Sequence, residues 1–164
     1  EIMKIISVIR EYENKYQKKI PVVSAGGVFD QKDMEHHMKL GVDGVQVGTR
    51  FVTTEECDAP ESYKQAYIHA AQEDIVIVKS PVGMPGRAIK NSFLEKVAVE
   101  KEKITRCFQC LEHCDPKTIP YCITKALIRA AEGDIENALL FCGANAYRCQ
   151  KIEKVDQVMR ELLG

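Results

Sequence analysis

Two short glycine-bearing segments carry the residue types that can hold an anion, Ser24-Ala25-Gly26-Gly27 and Gln46-Val47-Gly48-Thr49. Glycine has no Cβ, so its backbone approaches a bound group closely and adopts positive φ. A turn that leaves a strand and enters a helix presents backbone N–H groups at the partially positive helix end, a setting that favours phosphate. Two such turns on neighbouring parallel strands place both sets of donors on one rim. The alternative is that the glycines serve only tight strand-to-helix connections.

A second set is Cys107-x2-Cys110-x3-Cys114-x7-Cys122. Thiolates spaced by two and three residues can converge on zinc or an iron–sulfur cluster. The second Cys-x2-Cys of a zinc ribbon is absent and the intervals do not fit the ferredoxin run. The preferred reading is therefore no metal, with reduced, mostly buried thiols packed as small hydrophobes. Cys57 reads as core, and Cys142 and Cys149 flank a Gly-Ala-Asn turn without ligand spacing. Adjacent Glu55 and Glu56 point in different directions and do not make an acid/base pair. Arg50 either supports a phosphate or pairs with Glu55 or Glu56; Arg87 either meets an anion or is solvated. His36 and His37 share the helix after the first glycine turn, one facing solvent and one partly buried, and neither they, His69 nor His113 is assigned as a base.

The elements that position these residues read as follows. Ile2, Ile5, Ile6, Ile9, Tyr12 and Tyr16 recur at helical spacing, which predicts an amphipathic helix over 2–18 packed on one side. Ile20–Ala25 is apolar on both faces and fits a buried parallel strand. Asp30 is an N-cap for a helix with Met34 and Met38 in the core and Gly41 at its end. Asp43–Val47 is a second strand, so the order is that of βαβ units and a parallel sheet. A helix from Pro60 carries Tyr63, Ala66, Tyr67 and Ala70; Ile75–Val78 reads as one more strand, Ser80–Arg87 as a loop, and Phe93, Leu94 and Val97 as a helix. Cys107–Pro120 reads as irregular. Helices from Pro120 to Glu132, after Asp134, and along Ile152–Leu162 make the second half nearly all helical.

The chain has 164 residues, 45% hydrophobic and 29% charged, with a net charge of −1. That balance excludes disorder and a strongly basic nucleic-acid binder. No apolar run is long enough for a membrane span, and no export signal begins the chain. Reduced thiols and the missing signal predict a cytoplasmic protein. The chain starts at Glu1 within what reads as a mid-domain helix, so it is expected to be a fragment.

The stretch from Pro21 to Cys57, PVVSAGGVFDQKDMEHHMKLGVDGVQVGTRFVTTEEC, resembles the last two barrel strands of the nitronate monooxygenase family, once called 2-nitropropane dioxygenases. Their near relatives are FMN-dependent enoyl-ACP reductases. The halves ending in Gly-Gly and Gly-Thr also occur in other phosphate-binding barrels; the extension T-R-F-x-x-T-E-E-C narrows the choice. Pro85–Asn91 is similar to a further family segment, and the tail from Cys110 to Arg148 is similar to a helical C-terminal extension of some members. The resemblance implies an α/β fold: residues 1–100 are the last βα units of an FMN-binding (β/α)8 TIM barrel, and 101–164 a mostly helical, cysteine-containing extension. It implies FMN as cofactor, its phosphate met by Gly26, Gly27, Gln46, Val47, Gly48 and Thr49, with Ser24 and Ala25 lining the strand end and the Thr49 hydroxyl an extra donor. It implies a flavoenzyme that oxidises alkyl nitronates with O2. The alternatives are an enoyl reductase using NAD(P)H and, in another class, a metal-binding or structural fragment. The partners implied are a small molecule, nitronate or enoyl thioester, and neither nucleic acid nor membrane; homo-oligomerisation stays open. A full barrel takes about 250 residues, so the catalytic histidine and the ring contacts are expected upstream, and this chain alone is expected to be inactive.

Overall fold

The computed structural model describes residues 1–112 and 114–164. Helically spaced apolar and charged residues form α1 (Ile2–Tyr16), which closes at Gln17 in the left-handed conformation. Next come β1 (Val23–Ala25), α2 (Gln31–Lys39) and β2 (Gly44–Gln46). β1 and β2 pair in parallel, Ser24 opposite Val45 and Ala25 opposite Gln46, as a strand–helix–strand unit requires. α2 begins at a reciprocal cap. The Asp30 carboxylate accepts from the Asp33 amide at 2.9 Å, and Asp33 Oδ2 accepts from the Asp30 amide at 3.3 Å.

Two burial expectations fail here. β1 is not sandwiched: Val23 is 60% exposed and Ala25 is exposed too. α1 contributes no buried residue, and Ile5, Tyr12 and Tyr16 face solvent, while Ile2, Ile6 and Ile9 are half-buried. Among the described residues β1 pairs with β2 alone, in a sheet of two strands. Met38 is likewise exposed instead of core, and Met34 is half-buried.

α3 (Thr49–Val52) is a single short helix, and α4 (Glu61–His69) buries Tyr67. Ile75–Lys79 is a strand, β3, but its partner corrects the loop assignment: Pro85–Ile89 forms β4, antiparallel to β3, and only Ser80–Met84 turns. β3 and β4 make their own sheet, separate from β1–β2. α5 (Ser92–Val99), α6 (Ile123–Glu132) and α7 (Val155–Leu163) complete the helices. The second half is less helical than its pattern predicts. No helix or strand lies in residues 100–122 among the described residues, and the stretch 138–154 holds only a one-turn 3₁₀ segment, Ala146–Arg148. Leu139, Leu140 and Phe141 have no helical period because they run beside β4: the Ile89 amide donates to Leu140 O and the Cys142 amide to Arg87 O, both at 2.9 Å.

Two apolar clusters form the core. One joins Phe29, Tyr67 and Ile89 to Ala130, Leu140 and Cys149; the other joins Ala88 and Phe93 to Tyr121, Ala126 and Leu139. Both draw on residues before and after position 100: the first ties the tail to the βαβ unit through Phe29, and the second ties it to β4 and α5.

Candidate phosphate-binding site

Ala25 and Gln46 stand opposite each other at the ends of β1 and β2, so the two glycine turns leave the sheet side by side. Gly26 and Gly27 sit at φ 90° and 79°, where a side chain is strained. A Cβ at either position, or at Gly48, would meet nothing within 4 Å. Backbone conformation, and not crowding, demands the glycine pair, and the space before the turns is open. Among the described residues no hydrogen bond uses the amide of Gly26, Gly27 or Gly48 as donor. Thr49 opens α3, whose first amides have no acceptor within the helix. α3 has only four residues, so it offers free amides more than a helix dipole.

Between the turns lies a cavity of about 230 Å³ lined by Ala25, Gly26, Gly27, Gln46, Gly48 and Thr49. These are the residues the sequence singled out, with one exception: Val47 is half-buried and does not line it. Ser24 does not line it either; its hydroxyl meets His37 Nδ1 at 2.8 Å. His36 is exposed and His37 half-buried, as expected.

The far wall comes from the tail. Gly143, Ala144 and Asn145 close the cavity, and the sequence reading passed over them as a plain turn. Their only signal was composition, a glycine and small residues like those of the other two turns. The Gly143 amide donates to Thr49 Oγ1 at 2.9 Å, which leaves the Thr49 O–H free to donate onward. Asn145 Nδ2 donates to Gly27 O at 2.9 Å. A side chain at Gly143 would collide with Thr49 Oγ1, so the close approach requires glycine.

Arg50 does not serve the cavity. It is buried, pairs with Glu153 at 2.9 Å and with Glu161, and lies over the Phe29 ring at 4.7 Å. The expected Glu55 or Glu56 partner is replaced by residues of the tail. The motif Thr54-Glu55-Glu56-Cys57 also works for the tail: Glu55 N donates to Glu153 O at 2.9 Å, and the Glu56 carboxylate takes the Val155 amide at the start of α7. Arg148 clamps the other flank, donating to Asp33 at 2.7 Å and to Asp30. Burial pushes the Asp33 carboxyl up, but the Arg148 guanidinium and the Phe29 and Asp30 amides outweigh it and hold it below the usual carboxylate range. Arg87 is exposed in β4, and the turn Ser80–Met84 does not reach the cavity.

Cys149 is buried, and burial pushes the half-buried Cys142 thiol up to about 11, so both behave as packed hydrophobes. Cys57 is half-buried, not core. Cys107 and Cys110 are exposed, against the expectation of mostly buried thiols; Cys114 is intermediate and Cys122 buried. Among the described residues no group of three or more Cys, His, Asp or Glu side chains stands ready around a metal position. His113 lies outside the described residues. None of their helices is long and apolar enough to cross a membrane.

Comparison with known proteins adds the following. A family model described as nitronate monooxygenase matches residues 1–164. A probable nitronate monooxygenase of Staphylococcus saprophyticus is 41% identical over 81 residues, 49% of this chain and 23% of that protein. One from Staphylococcus haemolyticus is 43% identical over 76 residues, 46% of this chain and 21% of that protein. Among solved structures, FabK from Thermotoga maritima superposes with a TM-score of 0.70 at 28% identity, covering 89% of this chain and 44% of its own. A nitroalkane oxidase from Streptomyces ansochromogenes gives 0.66 at 22% identity over 98% of this chain and 42% of its own, a likeness of fold. The chain thus spans less than half the length of the proteins it matches.

Proposed function

Because the chain belongs to the nitronate monooxygenase family of oxidoreductases, we propose that it carries the phosphate-holding rim of an FMN site in an enzyme that oxidises alkyl nitronates with O2. In this reading β1–α2–β2 are the last strand–helix units of a (β/α)8 barrel, where such a rim belongs. One observation carries it: two neighbouring glycine turns face one cavity with amides that have no acceptor. No charged side chain lines that cavity. An anion there is met by oriented amide dipoles, as in other backbone nests, and hydrogen bonds to a charged acceptor are roughly twice as strong as neutral ones.

The residues divide the work by position. Gly26 and Gly27 donate from one side, Gly48 and Thr49 from the other, and the Thr49 hydroxyl adds a donor. Gln46 and Asn145 stand at the rim, where their carboxamides hold the adjoining polar chain. Asn145 and Gly143 fix the two turns at a constant separation, so the donors are set before the ligand arrives. Bound FMN supplies the redox chemistry, and the protein supplies placement and field. None of His36, His37 and His69 lines the cavity, so no proton transfer is assigned to them.

The likeness to FabK at 28% identity favours a second reading, in which the same rim serves reduction of an enoyl thioester by NAD(P)H. Flavin fluorescence tests the rim itself. FMN binds this chain, riboflavin binds much more weakly, and inorganic phosphate competes with FMN; equal binding of FMN and riboflavin would falsify the assignment. Oxygen uptake with propionate 3-nitronate, set against NADH oxidation with a crotonyl thioester, separates the two readings in the full-length protein.

A further inference from the structure

We propose that Cys107, Cys110, Cys114 and Cys122 form a structural zinc site that staples the irregular segment between α5 and α6, a role independent of the flavin reading. Packing does not explain Cys107 and Cys110. Cysteine is among the most buried residue types, yet Cys107 and Cys110 are exposed, whereas Cys149 is packed in the core.

Among its described residues the segment between α5 and α6 has no core of its own. Its neck is pinned where the Glu102 amide donates to Pro120 O at 2.8 Å, and the Glu102 carboxylate takes Lys125 and Arg129 at 2.9 Å each. Beyond the neck only short turns occur among the described residues, and Phe108 and Leu111 are exposed. Loops of this length without structure are uncommon in compact domains unless something functional holds them.

Two contacts tie the cysteine turn to itself and to the start of α6. The Gln109 amide donates to Cys107 Sγ at 3.4 Å, with Gln109 left-handed at φ 52°, so the Cys-x2-Cys turn folds back on its own sulfur. Cys110 Sγ accepts from Thr124 Oγ1 at 2.9 Å. Thr124 lies in the first turn of α6, two residues after Cys122, the N-cap of that helix. The turn and the helix start are thereby brought together. Cys114 is half-buried, and its amide donates to Leu111 O at 3.4 Å, one residue beyond Cys110.

Four thiolates suit a closed tetrahedral Zn2+ site. Zn2+ displaces four protons and forms four Zn–S bonds, and no electron moves. Free of metal the sulfurs stop short of a ready site; zinc modules of this kind gain their geometry on binding.

The experiment is metal analysis of the full chain, purified under reducing conditions, dialysed, and titrated with Zn2+ alone, with Co2+ as the spectroscopic probe. The expected results are about one zinc per chain, a thiolate-to-cobalt charge-transfer band, and zinc-dependent protection of residues 103–119 from proteolysis. The double variant Cys107→Ser/Cys110→Ser loses zinc and the band while its far-UV circular dichroism is unchanged, because both residues are exposed; Cys57→Ser keeps both. Equal zinc in the double variant, iron with acid-labile sulfide, or disulfides among the four cysteines in the reduced preparation would each overturn the proposal.

Discussion

The glycine turns and the cysteine segment are both irregular, yet they are held in opposite ways. The glycine rim uses main-chain donors placed by β1, β2 and α3, and the tail locks them through Gly143 and Asn145. The cysteine segment hangs its side chains from a loop pinned at Glu102 and tied to α6 by the Thr124–Cys110 contact. A site made of backbone is set by its scaffold and tolerates most substitutions except at its left-handed positions. A site made of side chains on a loop depends on the ligand to order it. The comparison predicts mutational sensitivity through the scaffold for the first and through the metal for the second.

The strongest way to strain that contrast is to unclamp the tail. Among the described residues, Arg50→Ala leaves the buried Glu153 carboxylate paired with Lys151 alone. The expected loss is about 3 kcal/mol of stability, read as a lower denaturant midpoint, with the FMN affinity falling in parallel. Next, Gly27→Val forces a β-branched residue to φ near 79°. It should cost about 1–3 kcal/mol, weakening FMN about 5- to 150-fold in fluorescence titrations while riboflavin binding stays as it was. Asn145→Ala removes one donor to Gly27 O and should cost about 1 kcal/mol, a fewfold loss in FMN affinity.

A pH profile sharpens the same clamp. The Asp33 carboxyl is depressed in the folded chain, so its stabilising effect is full above the unfolded value of about 4. It is lost as the pH falls through the folded value. Arg148→Met should lower stability near neutrality and converge on the parent chain at strongly acid pH, as denaturation curves across that range would show; a constant gap would refute it. The smallest effect belongs to the loop. Without metal, Cys107→Ser should shift stability by less than about 0.5 kcal/mol, because the residue is exposed.

Much of the first third was legible because its signals are local. The Asp30 cap, Gly41 after α2 and the glycine turns after two strands follow from backbone preferences that need no distant partner. Pro85–Ile89 was not legible as a strand. Pro-Gly reads as a turn, and only pairing with Ile75–Lys79 on one side and the Phe141 segment on the other makes it β4. The same holds for Gly143–Asn145, more than a hundred residues from Gly27 in the chain and hydrogen-bonded to it in space.

The amino-acid order alone settled the Asp30 cap that starts α2, the stop at Gly41, and that a glycine-bearing turn ends each of two successive strands. Those outcomes rest on steric limits and hydrogen bonds between residues a few positions apart. Folding decided the rest: that Pro85–Ile89 pairs as β4, that Arg50 and Arg148 brace the tail instead of facing the cavity, and that a third turn, Gly143–Asn145, lines that cavity. Burial and ion pairing depend on which surfaces meet, and that is fixed only when the whole chain has packed.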